Sequence, residues 1–389
     1  MPNPFPTLAP APDAAGAAPV PAEFSANGIL TVDLDAVVAN WRLLAKEAVP
    51  AETAAVVKAD AYGCGLEPVT RALTGAGCKT FFVATIDEAR HARAAAPHAD
   101  IYALDGYFTG CGAMFAAHNI RPVIGDLAEL ADWESFCRGH GWNGGAAIHV
   151  DTGMNRLGMG LGDALALAGR VKAGHHGFTL VMSHFACAET PGHPLNARQL
   201  ALFREIASVF SGVPASLANS SGIFLGGTVL FDLVRPGAAL YGVNPTPEAE
   251  NPMRPVVDLK ARIVQLRTVE RGDSVGYGAT WTARRPTRLA IVAAGYADGY
   301  FRAAGGVDGV RSAEAIVAGV RCPIAGRISM DLMAIDITDA PPGVRRGQFA
   351  TLIGEGIGVD ELANYFGTIG YEVLTSLGPR YHRVYRGGA

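Results

Sequence analysis

The sequence predicts an α/β protein: a (β/α)8 barrel over residues 28–250, followed by a mostly antiparallel β domain over residues 251–389. Three observations carry this. Short apolar runs alternate with helix-length stretches as far as about residue 245. Those runs are rich in Val, Ile and Ala on both faces, as strands of a helix-covered parallel sheet must be. Past residue 250 there is little helix, and short strands separated by Gly/Asp turns take over.

In order, the strand candidates of the first part are "ILTVDL", "AAVVKA", "FFVAT", "IYAL", "RPVIG", "AAIHVD", "FTLVMSHFA" and "LVRPGAALYG". Between several of them lie amphipathic stretches such as "IDEARHARAAA", "DLAELADWESFCRGH" and "LNARQLALFREIASVF". About eight such units fit a closed barrel better than an open sheet, and the Gly-x-Gly-x-x-Gly phosphate turn of open dinucleotide folds is absent. The second part reads as strands in "DLKARIVQLRTVERGDSVGYGATW", "TRLAIVAAGYADG" and "AIDITDAPPGVRRGQFATLIG". Residues 1–27 hold seven of the 24 prolines and almost no charge, so an extended tail without catalytic role is expected there.

Composition narrows the function. Hydrophobic residues make up 49% and charged residues 17%, which suits a packed globule. A net charge of -4 leaves no electrostatic footprint for nucleic acid. The longest apolar runs are strand-length, far short of a membrane span. The six cysteines are scattered without zinc spacing, which reads as reduced thiols in a cytoplasmic protein.

Barrel active sites form at the C-terminal ends of strands. Lys58, one of only five lysines, closes the run "AAVVKA" at such an end. A buried amine there has a lowered pKa and can act as nucleophile and base. A lysine snorkelling at a strand edge accounts for this stretch equally well. Other strand ends shift the balance. "VDTGMNRLGMG" offers Asp151 and Arg156, "MSHFACAE" offers His184, and "ASLANSSG" offers Asn219 and Ser220. "DLVRPGAALYG" sets Arg235 beside Gly237 and Ala238, whose N–H groups suit an anion. An amine, phosphate-binding loops and an arginine for a ring together suggest pyridoxal 5'-phosphate bound covalently to Lys58. Singly, each has a plainer account: Asp151 as a loop acceptor, His184 as a core histidine, Arg235 as a salt-bridge partner of Asp232. Cys187, three residues after His184, lacks further ligands for a metal, and no metal is expected.

"VVKADAYGCG" resembles the cofactor-lysine motif of the alanine racemases. "VDTGMNRLG", "SHFACAE", "ANSSGI", "DLVRPGAALYG", "VGYGATW", "GYADG", "GRISMDLMAID" and "TIGYEVLTSLGPRYHRVY" resemble that family's other motifs, in its order. The resemblance runs from about residue 28 to the end. It implies a pyridoxal-phosphate enzyme with a barrel and a β domain, acting on L- and D-alanine as a homodimer with shared active sites. By the same resemblance Lys58 holds the cofactor and is one base, and Tyr277 is the other, delivered from the partner subunit. Tyr62, Ser220, Gly237, Ala238 and Tyr371 match phosphate ligands, and His184 lies among the cofactor contacts. Arg235 matches the partner of the pyridine nitrogen, and Arg156 the residue touching the cofactor phenol and substrate carboxylate. Met330 matches a substrate contact from the second subunit, and Tyr296 lies where the family narrows its entrance.

The chain departs from the pattern at four places. His149 stands where many members carry a lysine, often carbamylated, and Ser216 where many have a histidine. Asp60 and Cys64 replace a commoner Asn and His. The residue types also fit the chemistry on their own: racemisation needs a base on each face of the α-carbon. Arginine can only donate to a pyridine nitrogen, which restrains it as an electron sink and argues against a decarboxylase. A broad-specificity racemase of the same fold is the first alternative, and a non-catalytic cofactor-binding protein the second.

Overall fold

The computed structural model describes residues 25–172 and 177–388. Most of the proline-rich stretch, residues 1–24, lies outside the described residues.

Seven parallel strands run in sequence order: Ala55–Val56, Thr80–Val83, Asp100–Ala103, Arg121–Ile124, Ala146–His149, Phe178–Met182 and Ala215–Ser216. Leu233–Val234 closes the ring by pairing in parallel with Glu52–Thr53, which continues into the first strand. On its other side, Asp232 N donates to Ala215 O at 3.0 Å and Arg235 N to Ala218 O at 2.9 Å. The result is a closed eight-stranded barrel. Its lumen is filled by Ala54, Val56, Phe82, Tyr102, Val123, Ala147, Leu180, Met182 and Leu233. The alternate residues, among them Ala55, Val57, Phe81, Ile101 and Ile148, face the helices. Burial on both faces explains the unbroken apolar runs.

Two expectations are corrected here. "ILTVDL" is not a barrel strand: Gly28–Asp33 pairs antiparallel with the long strand Val257–Val269 and parallel with His382–Arg386. The barrel strand absent from the expected set is Ala215–Ser216, the seventh in order, because two residues carry no period. A strand followed by a helix looks alike in both settings, and only the partner distinguishes them.

The second domain centres on a ring of six strands: Val257–Val269, Thr287–Val292, Met333–Asp336, Val320–Ala325, Glu314–Val317 and Phe349–Ile353. Helix Leu34–Glu47 links the two units through buried Asn40. Its amide donates to Leu240 O and Arg254 O and accepts from Arg254 N at 2.7 Å. Among the described residues no helix is long and apolar enough to cross a membrane.

Candidate active site

The chain leaves the first barrel strand through an unusual turn. Ala59, Asp60, Ala61 and Tyr62 all have φ between +52° and +55°. For residues with a Cβ this left-handed conformation costs about 1–2 kcal/mol each, so neighbouring groups must hold it. The Glu88 carboxylate accepts from Ala59 N at 2.7 Å and from Ala84 N at 2.8 Å, and Asp60 Oδ1 accepts from Leu66 N at 2.7 Å. Helix Gly370–Ser376 of the second domain packs on the turn, where a Cβ on Gly63 would meet Leu374 O at 2.5 Å. Removing the Glu88 acceptor leaves the exposed Ala59 N–H and the half-buried Ala84 N–H without their protein partner, at about 1 kcal/mol each. Glu88→Ala is therefore expected to lower the thermal midpoint and loosen cofactor retention, while Glu88→Gln, which keeps one of the two acceptor oxygens, falls between Ala and wild type; thermal melts with a dialysis series check this.

The turn sets two functional groups apart. At its start is Lys58, half-buried, with its amine lowered from the ordinary lysine value. Burial is the main cause, then the Arg156 guanidinium, opposed by Asp105 and Glu88. At its end Tyr62 stacks on buried Tyr241 at 4.7 Å and meets Tyr371 edge-on at 6.4 Å. Burial also raises the Tyr62 phenol, so its hydroxyl stays a neutral donor. A Cβ on Gly237 would come within 2.4 Å of that hydroxyl, so only glycine fits there. Ser220 Oγ lies in the same cradle and accepts from Gly237 N at 3.0 Å and Ala239 N at 3.2 Å. Ala238 opens the short helix that follows Gly237. Tyr62, Ser220, Gly237, Ala238 and Tyr371 thus converge from distant parts of the chain.

Across the barrel mouth Arg235 is only 3% exposed. Its guanidinium donates to Ser216 Oγ and to Ser183 O, the latter at 2.5 Å, and sits 5.8 Å over the Phe82 ring. Burial lowers its pKa to about 9, and it makes no ion pair among the described residues. The expected alternative of an Arg235–Asp232 bridge does not form, because the Asp232 carboxylate accepts from Ala215 N at 2.8 Å. His184 Nδ1 lies 3.4 Å from Arg235. Burial, then Arg235, Arg156, His149 and Lys58, hold its imidazole well below the usual range, so it is neutral.

His149, the last residue of its strand, is lowered to about 4 by burial and by Arg235 and Arg156, against Asp151. Asp151 is a loop acceptor, as its plainer account has it: its carboxylate takes the N–H groups of Gly153, Met154 and Asn155. That nest shapes the exposed loop carrying Arg156. Tyr277, Tyr296 and Met330 behave differently, since all belong to the second domain and project outward, Tyr277 69% and Met330 53% exposed. Tyr296 and Met330 share a corner, with Tyr296 N donating to Ser329 O and Ala297 N to Met330 O. A separate hollow of about 450 Å³ between Trp281, Arg285, Asp308 and Arg311 touches none of these groups.

The chain as a whole matches a known lineage. The description "Alanine racemase, N-terminal domain" fits residues 32–245, and "Alanine racemase, C-terminal domain" fits residues 256–385. The chain belongs to the alanine racemase family. The alanine racemase of Methylobacterium nodulans is 54% identical over 361 residues, covering 92% of this chain and 96% of that protein. That of Rhizobium meliloti is 45% identical over 95% of this chain and 99% of its own. Among solved structures, alanine racemase from Bartonella henselae with covalently bound pyridoxal phosphate superposes with a TM-score of 0.87 at 38% identity, covering 93% of this chain and all of that one.

Glu88 and Gln199 do not emerge from sequence reasoning. Glu88 had a signal, since Thr85 and Glu88 form a capping box at the start of helix Ile86–Ala95. Gln199, inside a helix, had none.

Proposed function

We propose that this protein interconverts L-alanine and D-alanine with pyridoxal phosphate, supplying D-alanine for cell-wall peptidoglycan from the cytoplasm. The observation that carries the reading is a lysine of lowered pKa at the barrel mouth, in a site that also holds a buried arginine with no carboxylate partner among the described residues.

The residues fit the cofactor. Lys58 would hold its aldehyde carbon. Tyr62, Ser220, Tyr371 and the N–H groups of Gly237 and Ala238 would hold the phosphate, in a cradle that a Cβ on Gly237 would fill. Arg235 would donate to the pyridine nitrogen, with neutral His184 beside the ring. Bound there, the group supplies an electron-withdrawing system that acidifies the substrate's α-carbon. Arg156 binds the substrate carboxylate, and Lys58 Nζ takes or returns the α-proton on one face. Tyr277 Oη does the same on the other face, from the partner subunit of a homodimer. The outward projection of Tyr277, Met330 and Tyr296 supports this, because it leaves the three side chains free to reach a second subunit. Met330 lines the substrate pocket and Tyr296 its entrance.

The test is incubation of the loaded protein with each enantiomer of alanine, serine and lysine. Equal final amounts of both alanine enantiomers from either start, with slower turnover of the others, support the proposal. Comparable rates on all three would replace it with a broad-specificity racemase, and no turnover would refute it.

His149 gives a further expected outcome. A histidine does not form the stable carbamate of a lysine, so bicarbonate at fixed pH should leave the rate unchanged. Titrating near 4, His149 is neutral through the physiological range and can accept from a guanidinium. Protonation would set another cation beside Arg235 and Arg156, so its effect on rate should appear towards pH 4 and not near the ordinary imidazole value. The folded value lies below the unfolded one, so the unfolded chain binds the proton first. Stability should therefore fall as pH drops from about 6.5 towards 4, and His149→Asn should flatten that slope in thermal melts.

A further inference from the structure

We propose that Gln199 is a positioning residue that ties the Arg156 loop to the His184 and Arg235 side of the site, and so sets how tightly the substrate carboxylate is held. The inference rests on the racemase reading above. Gln199 comes from helix Pro194–Val209 and has no exposed surface. Its Nε2 donates to Thr152 Oγ1 at 3.2 Å and to His184 O at 2.8 Å, and its Oε1 accepts from Ala186 N at 2.9 Å. Thr152 Oγ1 shares a hydrogen bond of 2.8 Å with Ser183 Oγ, and Ser183 O accepts from Arg235. One unbroken buried chain therefore runs from the loop of Arg156, through Thr152, to the guanidinium of Arg235.

The topology explains why a crosslink is needed there. Strands Ala146–His149 and Phe178–Met182 are paired up to His149 and Met182, and Val150 N still donates to Met182 O at 2.9 Å. Beyond that the two loops diverge with no further backbone pairing between Thr152 and His184. The Gln199 amide, together with the Thr152–Ser183 hydrogen bond, bridges them where the ladder ends. Asp151 locks the N–H groups of residues 153–155, so the segment leading to Arg156 moves with Thr152. An amide offers two diverging donors and one acceptor, and all three are used here. Leucine offers none, and a carboxyl group can serve at most one of the two acceptors.

The test uses loaded wild-type protein, Gln199→Leu and Gln199→Glu. KM and kcat for L-alanine are measured with the visible spectrum and the thermal midpoint. The dissociation constant of propionate, which has the substrate's carboxylate and methyl but no amine, is measured by calorimetry. The expected result is a rise of about tenfold in KM and in the propionate constant, the weight of one hydrogen bond, with kcat and spectrum close to wild type. Loss of kcat with KM and propionate affinity unchanged would overturn the proposal, as would no change in either variant. Should Gln199→Leu fail to fold, Gln199→Glu keeps the shape and the acceptor for Ala186 N, and the same rise is required of it. Propionate binding by a wild-type protein that does not racemise alanine would refute the functional reading while leaving Gln199 open to test through propionate alone.

Discussion

Lys58→Ala is expected to give a folded protein that has lost the absorbance of lysine-bound cofactor near about 420 nm and racemises alanine more than about 10⁴-fold slower, beyond the usual weight of one positioned acid–base group. Folding should survive because the backbone of the left-handed turn is held by Glu88, Asp60 and helix Gly370–Ser376 and not by the lysine side chain. The truncation also removes a partly desolvated amine whose burial disfavours its charged form. The loss is large because one residue both anchors the cofactor and moves the proton. Gel filtration, a visible spectrum and a chiral assay on the same sample separate these effects. A folded variant racemising at the wild-type rate would overturn the whole site assignment.

Tyr277→Phe carries the second largest effect. It keeps the ring and removes only the hydroxyl of a side chain that projects from the second domain. The cofactor lysine and the phosphate cradle are untouched, so the spectrum should be normal. Net racemisation should fall by about 10²–10⁴. The two bases should not be equivalent, since each meets the α-proton of one enantiomer. The family resemblance assigns the L-alanine proton to tyrosine and the D-alanine proton to Lys58. In deuterated water the variant should wash deuterium into D-alanine and leave L-alanine nearly untouched. Equal loss of exchange from both enantiomers would mean that Tyr277 positions substrate instead of moving a proton.

Much of this site was legible because its parts are short motifs at strand ends. "VVKADAYGCG" and "DLVRPGAALYG" each combine a reactive side chain with glycines needed for close approach, and the structure brings Lys58, Tyr62, Arg235 and Gly237 to one barrel mouth. What stayed hidden depends on partners distant in sequence. The strand Gly28–Asp33 reads like a barrel strand until its neighbours at Val257–Ala261 and His382–Arg386 are seen. Ala215–Ser216 is too short to show a period, yet it carries the ring on from strand Phe178–Met182. Ser216 registered only as a departure, whereas its hydroxyl receives the Arg235 guanidinium and donates to Leu233 O at 2.6 Å. That supplies a neutral acceptor where a carboxylate would have cancelled the charge. Gln199 sits in an ordinary helical pattern, and only its three buried hydrogen bonds give it a role.

The central claim is that one active site draws Lys58 from one subunit and Tyr277 from its partner. Mixing Lys58→Ala with Tyr277→Phe protein tests it most directly. Each variant alone lacks a base at both of its sites, but a mixed dimer holds one site with both bases and one with neither. After subunit exchange has been demonstrated with differently tagged chains, the mixture should regain a substantial part of wild-type racemisation. Exchange without any recovery would contradict the account, because each subunit would then be supplying its own tyrosine.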